Sequence, residues 1–155
     1  MKPINLGNIP VTESLLEQGD FDKDSIHRVF KNTYPGEICP RYLEAKNSLL
    51  STLTNFLKSK GYRYNPCDLY VDKGVLPLVG SVGMHTDEGL GLMASWLVFD
   101  EEPAEGNGEA PELVTNGFGH LKVHTGDIFI FDSEIDHGWI SNNNCLLIQS
   151  SVCPI

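Results

Sequence analysis

After Gly61 the hydrophobic period of this chain changes. Short apolar runs follow one another, separated by Gly, Asn, Asp and Pro: Leu69–Val71, Leu78–His85, Leu90–Phe99, Glu112–Thr115, Leu121–His124, Asp127–Phe131, Gly138–Ile140 and Cys145–Val152. Runs of this length, bounded by turn residues, read as strands, and a regular series of them predicts an all-β sandwich or barrel. The first sixty residues follow a different rule. Thr12–Glu17, ending at Gly19, and Asp24–Lys31 are short helical candidates, and Tyr34-Pro35-Gly36 breaks the second. Pro40–Lys60 carries Leu43, Leu50, Leu53 and Leu57 at helical spacing, widened by Leu49 and Phe56, and Gly61 closes it. The expected organisation is one domain over residues 1–155. Residues 1–61 form a helical leader and support helix, and residues 62–155 form a β core with that helix against one sheet face.

Composition narrows the class of partner. The net charge is −10, which repels a bare phosphate backbone and disfavours nucleic acid as a ligand. Arg41, Lys46, Lys58, Lys60 and Arg63 are the one concentration of positive charge. No apolar run reaches the roughly 20 residues needed to span a bilayer, and MKPINLGNIP has no signal-peptide core, so no membrane and a cytoplasmic setting are expected. The four cysteines, Cys39, Cys67, Cys145 and Cys153, form no CxxC pair and are expected to be reduced and structural. The acidic, glycine-bearing stretch Glu101–Pro111 reads as an exposed loop.

Chemistry concentrates at His85-Thr86-Asp87. Alternate residues of a strand share a face, which puts these two side chains on one side about 6–7 Å apart at Cα. A third ligand is expected from the segment that starts at Gly126-Asp127, runs through an apolar strand into the acidic turn Asp132–Asp136, and ends at His137. Two imidazoles and a carboxylate with the remaining positions open is the ligand set of non-haem Fe(II) oxygenases. The same set suits manganese, cobalt or nickel, and catalytic zinc as well. His120 and His124 share a strand face by even spacing but have no third ligand; as a pair they read as exposed or satisfied histidines, and His27 belongs to the helical leader. Trp139 shares the face of His137. Core packing is the default for Trp139 and for Trp96, and a solvated loop is the default for the acidic turn.

These motifs resemble those of the 2-oxoglutarate- and Fe(II)-dependent oxygenases. The likeness runs over residues 62–152: Tyr70-Val71-Asp72-Lys73-Gly74, then His85-Thr86-Asp87, then the apolar run Leu90–Phe99 ending in acidic residues, then Gly126-Asp127 leading to His137. The resemblance implies a mainly β fold, a double-stranded β-helix (jelly-roll) core with N-terminal helices packed on the larger sheet. It implies Fe(II) held by His85, Asp87 and His137, with 2-oxoglutarate as cosubstrate positioned by Tyr70 and Ser150. It also implies dioxygen as a reactant and hydroxylation of an unidentified substrate, a protein or a small molecule more readily than a nucleic acid. Where the family carries an arginine two residues before that serine, this chain has Ile148, and Lys73, Arg63 and Lys122 are the remaining cationic candidates. A cupin-like metalloprotein that does not use 2-oxoglutarate and a non-enzymatic jelly-roll binding module are the alternatives. Ile4–Tyr42 and the Glu101–Pro111 loop are the expected recognition elements.

Overall fold

The computed structural model describes residues 1–33, 35, 43–44, 47–64, 73–101 and 109–155. Eight strands build the β core: β4 (Lys73–Val79), β5 (Val82–His85), β6 (Leu92–Glu101), β7 (Glu112–Thr115), β8 (Gly119–Lys122), β9 (Asp127–Asp132), β10 (His137–Ile140) and β11 (Asn144–Pro154). They divide between two antiparallel sheets. The larger runs β9-β6-β11-β4 and the smaller β5-β10-β7-β8. The chain therefore crosses repeatedly from one sheet to the other, which is the winding of a double-stranded β-helix, a jelly roll. Three further strands extend the larger sheet: β1 (Ile4–Asn8) beside β9, β2 (Leu43–Glu44) beside β4, and β3 (Tyr62–Tyr64) beside the end of β11.

The larger sheet is buried on both faces, which explains why its strands show apolar runs without clean alternation. One face packs Val75, Ala94, Trp96, Ile128, Ile130, Leu146, Ile148 and Val152 against residues of the helical layer. That layer holds α1 (Glu13–Gln18), α2 (Lys23–Lys31) and α3 (Asn47–Ser59). The opposite face, inside the roll, packs Met93, Leu97, Phe129, Phe131, Cys145 and Leu147 against Val82, Leu113 and Trp139 of the smaller sheet. Burial raises the Cys145 thiol far above its ordinary pKa, and the neighbouring Asp100 carboxylate adds to the effect, so this cysteine is an inert core residue.

The helices form for local reasons. Thr12 caps α1 by accepting from the Leu15 amide. Asp22 and Ser25 cap α2 reciprocally, and Ile26 and Phe30 are its buried stripe. Leu49, Leu53 and Leu57 of α3 are at most 1% exposed. Truncating one of these leaves a void that the sheet below cannot close. Leu53→Ala is expected to cost about 3 kcal/mol, read as a lower denaturant midpoint with an unchanged slope. A loss under about 0.5 kcal/mol would show that α3 is not seated on the sheet.

Several boundaries differ from the sequence-based expectation, and β8, expected over Leu121–His124, runs Gly119–Lys122. The long helix starts at Asn47, since Leu43 and Glu44 pair with Val75 and Gly74 as a strand. The leader contributes β1, a short strand whose glycine and asparagines hide it and whose partner lies more than a hundred residues away. Leu78–His85 is two strands, turned at Gly80, which sits at φ +71°. Tyr62–Tyr64 pairs with the end of β11. Leu69–Val71 and Pro40–Tyr42 lie outside the described residues. Among the described residues no helix is long and apolar enough to cross a membrane.

Candidate metal centre

His85 ends β5 and His137 begins β10, and the two residues are directly paired across the antiparallel ladder. Cross-strand neighbours on one face stand close enough to touch. Here the imidazole ring centres are 4.4 Å apart and the rings are inclined by 56°. Asp87 follows two residues after His85, beyond the end of the strand. Its amide donates to the Ser133 carbonyl at 2.9 Å, which ties the HTD segment to the turn before His137. The Asp87 carboxylate then lies 3.1 Å from His137 Nε2 and 3.8 Å from His85 Nε2. One ligand atom from each of the three residues falls within 4.8 Å of the others.

Both histidines are oriented in the same way. His85 Nδ1 bonds the Gly83 carbonyl and His137 Nδ1 bonds the Ile135 carbonyl, each at 2.8 Å and each two residues upstream. A carbonyl accepts only, so Nδ1 of each ring carries a proton and Nε2 is the atom presented to the site. Phe131 packs edge-on against His137 at 5.0 Å, and Phe129 meets Trp139 edge-on at 5.9 Å, which walls the inner side. Exposure grades outward: the His137 side chain is 3% exposed, His85 15% and Asp87 30%. Burial works against the charged form of His137. Its bonds to Asp87 and the Ile135 carbonyl, with the charges of Asp87 and Asp136, outweigh that and raise its pKa.

This donor set fits a divalent metal ion. Two imidazole nitrogens and one carboxylate oxygen converge from three backbone positions, second hydrogen bonds fix both rings, and the Asp87 side of the set is partly exposed. A cation would replace the proton that otherwise links His137 to Asp87. The cavity beside the three residues measures about 30 Å³ and is lined by Leu76, Pro77, Leu78, Val82, Phe131, Trp139 and Gln149.

The remaining sequence candidates fall elsewhere. Ser150 is not in the site. It pairs with Ala94 and shares the helix-covered face of the sheet with Ile148 and Val152, and its hydroxyl donates to the Ser151 carbonyl. The inward positions of β11 are one residue out of step, at Leu147, Gln149 and Ser151. A shift of one residue exchanges the two faces of a strand, and an apolar run buried on both faces shows no alternation to set the parity. Tyr70 lies outside the described residues. Trp139 lines the cavity, while Trp96 belongs to the core under the helices. His120 pairs with Glu112 at 2.9 Å, His124 lies 3.6 Å from Asp127, and His27 pairs with Glu101 at 2.7 Å, so none joins the centre. Lys122 lies 3.9 Å from Glu112 and Arg63 is exposed on β3. The residues that sequence reasoning missed are Gln149, Ser133 and the two carbonyl acceptors, Gly83 and Ile135, which carry no side-chain pattern.

No protein-family model matches this chain, and no curated protein matches it in sequence. Among the solved structures that resemble it in shape are two that cover most of its length. A protein from Neisseria meningitidis is 12% identical with a TM-score of 0.44, over 81% of this chain and 95% of that one. A cupin-2 domain containing protein from Shewanella frigidimarina is 8% identical with a TM-score of 0.45, over 90% of this chain and 99% of that one. The fold described above rests on the strand order of this chain itself.

Proposed function

We propose that the chain is a cytoplasmic Fe(II)-dependent dioxygenase that holds its metal through His85, Asp87 and His137. It consumes a 2-oxo acid, 2-oxoglutarate being the first to test, while hydroxylating an unidentified second substrate. The observation that carries this is the pair of Nδ1-anchored imidazoles whose Nε2 atoms converge with the partly exposed Asp87 carboxylate. Bound iron would supply the redox chemistry, in which dioxygen and the 2-oxo acid would give carbon dioxide and the carboxylic acid one carbon shorter as R–H becomes R–OH.

The chain's own residues do the rest. Gly83 and Ile135 hold the rings in the metal-binding tautomer, and the Ser133 carbonyl holds the backbone of Asp87. Phe131, Trp139, Val82 and Leu78 keep water from the inner side, which strengthens every electrostatic contact in the chamber. The partly exposed Asp87 edge is where a second substrate has access.

A second reading, a metalloprotein that uses no 2-oxo acid, is favoured by one feature. Among the residues whose side chains are described, no Lys or Arg lines the cavity. One experiment tests both readings. Protein loaded with Fe(II) without oxygen is mixed with 2-oxoglutarate or pyruvate and followed for a visible charge-transfer band. Oxygen is then admitted and succinate or acetate is measured. A band and product formation, both abolished by a chelator, are expected. Iron uptake without consumption of either acid supports the second reading. No uptake at micromolar iron overturns both.

A further inference from the structure

Beside the three ligands, the cavity wall holds one polar side chain, Gln149. It occupies an inward position of β11, paired with Ser95 on one side and Gly74 on the other. The residue is 5% exposed, and its Nε2 donates to Ser95 Oγ at 2.9 Å. That bond fixes the amide as a fitting of the wall. Gly74 brings no side chain to the wall beside it. The rest of the lining is hydrocarbon and aromatic: Leu76, Pro77, Leu78, Val82, Phe131 and Trp139. Among the residues whose side chains are described no cation lines the cavity, and residues 65–72, which lead into β4, contain no Lys or Arg.

A dicarboxylic 2-oxo acid placed here gives one carboxylate to the metal and must bury the other. Among the described side chains only an amide and a hydroxyl would meet it, and an anion stripped of water without a counter-charge is held poorly. An uncharged tail loses nothing on entry, and an amide both donates to and accepts from small polar groups. The cavity is also short, about 30 Å³, which favours a small tail.

We infer that Gln149 sets the cosubstrate, so that the chamber takes a short 2-oxo acid with an uncharged tail, of the kind of pyruvate or 2-oxobutyrate, in preference to 2-oxoglutarate. The inference rests on the reading of the cluster as a metal centre that admits a 2-oxo acid. Gln149 is a specificity residue that touches the tail and takes no part in holding the metal.

The test is a binding measurement on the full chain loaded with Fe(II) without oxygen. Pyruvate and 2-oxoglutarate are titrated separately, by calorimetry and by the visible band. Pyruvate is expected to bind at least about tenfold more tightly than 2-oxoglutarate. Gln149→Arg, checked for a native melting transition, is expected to reverse that order. Gln149→Leu, close in volume, is expected to keep the preference for pyruvate, since it adds no charge. Wild-type protein binding 2-oxoglutarate as tightly as pyruvate, or more tightly, overturns the inference. Metal-loaded protein that binds neither acid also overturns it while the metal centre stands. Failure to take up metal removes the centre itself, and the inference falls with it.

Discussion

Replacing Asp87 by alanine is expected to lower affinity for Fe(II), and for Co(II) or Mn(II) as stand-ins, by more than about a hundredfold, since even residues that only orient a metal ligand cost 10–100-fold. The carboxylate is the one anion of the set. Without it, two neutral imidazoles face a dication alone, with the Nε2 of His137 no longer opposed at 3.1 Å. Substrate oxidation should disappear with the metal. Glu88→Ala is the matched control: it removes an adjacent, exposed carboxylate and should change affinity less than about twofold, as surface substitutions usually do. Calorimetric titration and metal content after dialysis both read the result. If Asp87→Ala keeps its metal, or if Glu88→Ala loses it, the ion is not held where the three side chains converge.

That expectation started from a spacing, and its outcome shows what spacing can resolve. Alternation along a strand places His85 and Asp87 on one side, and the structure brings both to His137. The reason differs in detail, because Asp87 stands beyond the strand and is held by a backbone bond to Ser133. Such a bond leaves no trace in residue identity. The β core was legible because turn residues separate each apolar run from the next, and the resemblance supplied its jelly-roll winding. Parity along β11 was not, because Cys145–Ser151 is buried on both faces and hydrophobicity cannot mark which side is inward. Ser150 was expected from the resemblance, and the register of β11 turns it to the helix-covered face while Gln149 faces inward. Likewise Leu43 fits the leucine period of α3 but pairs as a strand, since a periodic residue says nothing about where the backbone ladder takes over.

Gly138→Ala is expected to impair metal binding without touching a ligand. Between His137 and Trp139 the β5–β10 ladder slips, so that Gly83 and Met84 together stand opposite the single residue Gly138. The β5 backbone packs so closely there that an added Cβ would lie 2.7 Å from the Val82 carbonyl oxygen and 3.1 Å from two atoms of Gly83. These are backbone atoms, which cannot swing away as a side chain would. Relief requires the two strands to part, and they carry one histidine each. A stability loss of about 1–3 kcal/mol is expected from the overpacking, together with at least about a tenfold loss of metal affinity, a degree of weakening seen when ligands are merely misoriented. Gly83→Ala makes the same chemical change on the facing strand, where a Cβ meets nothing within 4 Å. It should leave affinity within about twofold, since it disturbs neither packing nor charge. Measuring both variants at a temperature where each is fully folded separates misplacement of the histidines from simple unfolding. Wild-type metal affinity in folded Gly138→Ala would mean that the close approach of β5 to β10 does not set the distance between His85 and His137.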